Sequence, residues 1–186
     1  MVKDLHSKTG LLFLVSLFFL CLAGCNSNKK GTAMPEEYVL TADRGKSDSE
    51  AFVYKAYQYN QLLIYYGEDA LKHVEKASVR SFIELSLPLH QKQSDQLVQY
   101  LQQLGAKVPQ LQFESMKSYL EKEKLKPNQE YEQDYLQTVS SIQHKALPLY
   151  EQATQLSDTT LANWANNVIP KLEMHAESVD QLLEEM

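Results

Sequence analysis

The chain has 186 residues, enough for one domain with a full core and too few for two of ordinary size. Apolar residues make up 44% of it, which argues against wholesale disorder, and a net charge of −6 with no basic stripe argues against nucleic acid as a partner. With only 6 Gly and 6 Pro, and with Leu, Gln, Glu, Lys and Ala plentiful, the composition favours helices over sheets.

The first segment reads as a targeting signal and not as part of the fold. Lys3 and Lys8, diluted by Asp4, open a short polar start, and an almost unbroken apolar run follows from Leu11 to Leu22. That run is about a dozen residues long, against the roughly 20 that a helix needs to span a bilayer. Leu22-Ala23-Gly24-Cys25 follows directly. Small residues just before a cysteine, after such a run, resemble the lipobox of bacterial lipoproteins. The resemblance implies a diacylglyceryl group on the Cys25 thiol, cleavage after residue 24, and acylation of the new amino group. Residues 1–24 are then a signal peptide, Cys25 is the lipidation site, and the membrane is a partner through its lipid. Asn26, in place of a retention-type Asp, points to the outer membrane over the inner. Cleavage removes Lys3, Lys8 and Asp4, so the mature net charge is −7, and it also removes Cys21. The folded part is left without a free thiol, and so without a disulfide, a Cys-bound metal or a Cys nucleophile.

Residues 25–48 are polar, lack hydrophobic period and are punctuated by Gly31, Pro35 and Gly45, as a lipidated tether would be. Residues 49–186 read as one helical domain. Phe52, Ala56, Tyr59, Leu63, Tyr66, Ala70 and Val74 recur at steps of three and four and define the inward stripe of a first helix, with Ser47 or Ser49 as its cap. The stripe breaks near Ala77-Ser78, and Ser78 is the expected cap of a second helix. Val79, Ile83, Ser86, His90, Leu97, Leu101 and Leu104 share its inner face, and Gly105 closes it. Residues 106–127 form a connection with a short helix expected around 110–123. Pro127-Asn128 starts a third long helix with Tyr135, Val139, Ile142, Ala146, Leu149, Tyr150 and Ala153 inward. Ser157-Asp158-Thr159 breaks and caps, and a fourth long helix turns Leu161, Trp164, Ala165, Val168, Leu172, His175, Val179 and Leu182 inward. The fold class expected is all-α, an antiparallel four-helix bundle of two helical hairpins. Pro88, Pro148 and Pro170 lie inside helices, where each removes one backbone hydrogen bond and bends the rod.

Candidate chemistry centres on histidine. His73 reads as structural. His90 and His175 fall on buried stripes, and counting residues from the two breaks at ~1.5 Å per residue puts Leu63, His90, Gln143 or His144, and His175 in one layer about 20 Å from an end of the bundle. A di-iron site needs Glu-x-x-His on two helices and a Glu from each of the others. Three residues before His90, His144 and His175 stand Leu87, Ser141 and Leu172, and Leu63 fills the layer in the first helix. The expected absence of a complete catalytic or di-iron motif makes the chain a non-enzyme without a cofactor. A single metal ion on His90 and His175 stays open, as does a pair of core histidines bonded to each other, to Gln143 or to water. His144 lies off the inward stripe and joins only if Pro148 distorts its helix. The sequence also lacks G-x-S-x-G, a Gly-rich phosphate loop, H-E-x-x-H and C-x-x-C. Of the 11 tyrosines, Tyr54, Tyr57 and Tyr65 lie beside the stripe and are candidates for half-buried flanks or a contact surface whose protein partner is unknown.

The pattern resembles a bacterial family of unknown function with a ferritin-like four-helix fold, described as outer-membrane or periplasmic proteins. In that family the second helix carries Asp-His and a Leu seven residues on; here stand Leu89-His90 and Leu97. The third carries Tyr, a His eight residues on, then Ala and a Leu-aromatic pair; here stand Tyr135, Gln143, Ala146, Leu149 and Tyr150, with His144 one place late. The fourth carries Pro-x-Leu-x-x-His, matched by Pro170, Leu172 and His175. Leu63 replaces a family Glu. The resemblance implies a ferritin-like fold and a layer from which this member has lost the Glu, the Asp and one His.

Overall fold

The computed structural model describes residues 47–111 and 114–186. The signal, Cys25 and the tether as far as residue 46 lie outside the described residues. The described residues form five helices: α1 (Asp48–Ala70), α2 (Ala77–Gln103), α3 (Glu114–Glu123), α4 (Asn128–Ala153) and α5 (Thr159–Glu184). No strand is present among the described residues.

Each helix begins and ends where local chemistry favours it. Ser47 caps α1 by accepting from the Glu50 amide at 3.2 Å. Asp158 caps α5 more fully, accepting from the amides of Thr160 and Leu161 at 3.0 Å each. Replacing Asp158 with Ala leaves both donors without a partner, and the folded domain is expected to lose about 1 kcal/mol in a urea melt. Pro127 stands directly before α4, where its missing N–H has no consequence. Gly105 ends α2 at φ 67°, a left-handed conformation that a side chain disfavours. With it, the Ala106 amide donates to Leu101 O and the Gly105 amide to Gln102 O, both pairs closing the helix end.

Two expectations at these ends fail. Ser78 is not a cap: α2 starts at Ala77 after Lys76, which makes no side-chain cap, and Ser78 Oγ is buried without a partner. The turn is held from another helix. Glu132, buried in the first turns of α4, accepts from the amides of Glu75 and Lys76 at 2.6 and 2.7 Å. A carboxylate on two amides is a charge-assisted bond, stronger than a serine could make there. Leu104, expected inward, is 42% exposed because α2 ends beneath it.

The helices pack as two hairpins, α1 with α2 and α4 with α5, set side by side so that α1 also meets α4 and α2 meets α5. His73, just past α1, stacks edge-on against Tyr131 at 5.7 Å, so α4 starts at the end where α1 finishes. At the other end Tyr100 and Trp164 sit 6.0 Å apart, and Trp164 Nε1 donates to Gln96 at 2.9 Å, which sets α5 antiparallel to α2. Residues 104–127 therefore cross the length of the bundle. Tyr54 Oη donates to Lys107 O and ties the start of this crossover to α1. Leu120 of α3 is buried, and Lys124 reaches Asp69 of α1 at 3.2 Å.

The inward stripes form one apolar core. Val53, Ala56, Tyr66, Ala70, Ile83, Leu97, Leu101, Leu136, Leu161, Ala165 and Val179 are all at or near zero exposure. Leu149, Trp164 and Leu182 pack at its rim, half-buried. Gly67 permits the close approach of α1 and α2, since a Cβ there would stand 3.0 Å from Leu87 Cδ2. Pro88, Pro148 and Pro170 are inside α2, α4 and α5 as expected.

Candidate functional site: the buried histidine layer

The centre of the bundle carries polar side chains among apolar ones. His90, in α2, is 2% exposed. His175, in α5, is half-buried, and its ring stands 5.5 Å from the His90 ring at an interplanar angle of 89°. The two histidines expected at one height meet, and Leu63 lines the same small cavity as His90. Phe82 covers the other side of His175, with ring centres 6.0 Å apart. Gln143 is 1% exposed in α4, and Leu63 is buried in α1.

His144 is not part of this layer. It is exposed on α4, and its Nε2 pairs with Asp180 Oδ2 of α5 at 3.0 Å. Pro148 does not turn it inward. Ser140 Oγ donates to the other oxygen of the same carboxylate at 2.7 Å. Asp180 stands between the hydroxyl and the imidazole, so His144 does not touch Ser140 and the order differs from a Ser-His-Asp relay.

The residue that organises the centre is Asn60 of α1. Its Nδ2 donates to Ala56 O at 2.9 Å and to Tyr150 Oη at 3.0 Å. Ala56 O can only accept, which fixes the amide orientation and leaves Oδ1 facing His90 Nδ1 at 3.0 Å. An amide oxygen is an acceptor, so Nδ1 carries the proton and Nε2 keeps its lone pair. His90 is thereby locked as one neutral tautomer. Burial, and then the neighbouring His175, drive its pKa down to about 3. Burial also lowers the His175 pKa. Tyr150 is raised above the ordinary phenol value by burial, against the opposing pull of its Asn60 bond. Every titratable group in the chain Tyr150–Asn60–His90–His175 is therefore uncharged at neutral pH.

Asn60 was legible as an inward position, four residues after Ala56 and three before Leu63, but an asparagine on an apolar stripe gives no sign of which helix it will bond. Gln93 is a second unforeseen member, buried one turn beyond His90. Neither amide atom of Gln93 or of Gln143 has a protein hydrogen-bond partner, and His175 Nδ1 has none. Among the described residues no three His, Cys, Asp or Glu side chains converge as a metal cage.

This arrangement sits inside a segment that a family pattern recognises. Residues 35–182 match the domain of unknown function DUF4142. The chain belongs to the DUF4142 family. The match takes in all four long helices almost to their ends and begins within the segment read as the tether. The histidine layer is thus internal to the DUF4142 domain, as are Asn60, Gln93 and Gln143. No curated protein and no solved structure matches the chain.

Proposed function

We propose that this DUF4142 chain is a lipid-anchored protein of the cell envelope, held on the outer membrane by Cys25, whose ferritin-like antiparallel four-helix bundle acts without catalysis in a structural, stress-related or protein-contact role. Leu22-Ala23-Gly24-Cys25 directly after the Leu11–Leu22 run supports the anchor. Each buried CH₂ of an acyl chain contributes roughly 0.8 kcal/mol, so two or three chains hold a protein on a membrane almost permanently. No helix among the described residues is long and apolar enough to cross a membrane. The long crossover between α2 and α4 agrees with a ferritin-like connection of the two hairpins.

The non-catalytic reading rests on the bundle centre. His90 Nδ1 is committed to Asn60, buried Leu63 stands in α1 where a carboxylate would be needed, and the nearby Ser86 hydroxyl donates back to Phe82 O in its own helix. Metabolic labelling of producing cells with a fatty-acid analogue, followed by density separation of the membranes, tests the anchor. Wild-type protein is expected to carry the label and travel with the outer membrane, and Cys25→Ser to carry none. An unlabelled wild type, or equal label on the variant, would remove the anchor from the account.

A further inference from the structure

The bundle buries more polar groups at its centre than it satisfies. Gln143 and Gln93 are 1% and 2% exposed with both amide atoms unpartnered, and His175 Nδ1 is buried without a partner. Buried polar atoms in folded proteins nearly always have a protein or solvent-derived partner. Gln93 lies one turn beyond His90 in α2, and residue counts put Gln143 at the height of the two imidazoles, one of which already has its tautomer fixed. In metal centres a ligating histidine commonly gives its other ring N–H to a carbonyl or carboxylate oxygen, which orients the ring and strengthens the free nitrogen as a donor. Asn60 Oδ1 does this for His90 at 3.0 Å, and Asn60 is itself held by Ala56 O and Tyr150 Oη.

We propose that His90 Nε2 and His175 bind a single divalent transition-metal ion of the zinc or copper class between α2 and α5, with the Gln143 amide oxygen or water completing its coordination. Two imidazoles that share an ion at ~2.0–2.1 Å from each nitrogen hold their ring centres roughly 5–6.5 Å apart. The observed separation is 5.5 Å. All donors are neutral nitrogens and amide oxygens. Such a set suits zinc, copper or nickel and disfavours magnesium, calcium and carboxylate-bound iron. His175 is only half-buried, so the pair lies against the surface of the bundle. The site binds and does not catalyse, so it goes beyond the anchored-bundle reading and does not depend on Cys25.

Titration calorimetry of the detergent-solubilised, metal-free mature protein with Zn²⁺ tests it. One ion per chain is expected for the wild type, with affinity reduced at least tenfold in His90→Asn and in His175→Asn and unchanged in His144→Asn. His90 is deep enough that its variant can misfold. His175→Asn, at the half-buried position, is therefore the deciding protein, and its circular dichroism must match wild type. Absence of saturable Zn²⁺ binding in the wild type would overturn the proposal. So would binding unaffected by His175→Asn, or binding lost in His144→Asn, which would place the ion on the exposed His144–Asp180 pair.

Discussion

Asn60→Leu is expected to cost the domain about 2–6 kcal/mol. Leucine keeps the branched four-atom outline of asparagine and is the better helix former, so neither a cavity nor a propensity loss enters, while its bulkier methyl groups add an overpacking cost to the lost bonds. What the change removes is the acceptor for His90 Nδ1–H and the donor to Tyr150 Oη, both deep in the core. A buried donor or acceptor left unpaired costs about 1–3 kcal/mol, and two are affected. A small domain has a total stability of about 5–15 kcal/mol, so the urea midpoint should fall by a substantial fraction with little change in slope. Asn60→Asp separates bonding from packing. It restores an acceptor for His90 and places a negative charge beside it, which favours imidazolium over imidazole. A Leu variant as stable as wild type would mean that the Asn60 bonds contribute nothing net.

Acidification should destabilise the metal-free domain well before its carboxylates as a class are protonated. His90 has a folded pKa of about 3 against 6.5 when exposed, and His175 is lowered as well. A histidine with a depressed folded value takes up its proton more readily in the unfolded chain. Its contribution to stability is complete above pH 6.5 and is lost as pH falls from there toward 3. By linkage, His90 alone accounts for about 2 kcal/mol lost by pH 5. Glu123 acts in the opposite sense, because burial raises its carboxyl pKa despite Lys126 beside it, so its proton is bound more tightly in the fold. Urea melts of wild type and His90→Gln from pH 7.5 to 5 separate these contributions. The wild type should weaken through this range, and His90→Gln should show a clearly smaller slope. Equal slopes would assign the acid sensitivity elsewhere.

Much of this fold was legible in the residues because one-sided burial leaves a strong trace. The stripes of α1, α2, α4 and α5 recur at helical spacing, and nearly every stripe residue is buried or at the core rim. Asp158 and Gly105 act at helix ends as expected, since capping depends on local backbone geometry alone. The meeting of His90 and His175 followed from helix rise and the positions of two turns. What was not legible depends on contacts across helices. Glu132 looks like an ordinary acidic residue near a helix start, but its partners are amides in the α1–α2 turn, 56 and 57 residues away in the chain. For the same reason Ser78 was a reasonable cap that the fold does not use. His144 and Gln143 are neighbours in sequence, and the ~100° per residue of a helix decides that the amide goes inward and the imidazole meets Asp180 outside.

The anchored-bundle account is tested most directly by the intact mass and N-terminal peptide of the protein recovered from the membranes of cells that make it. The account predicts a chain that begins at Cys25 and carries a diacylglyceryl thioether and acylated amino group. A water-soluble chain with an unmodified Cys25 thiol, or one that retains residues 1–24, would contradict it.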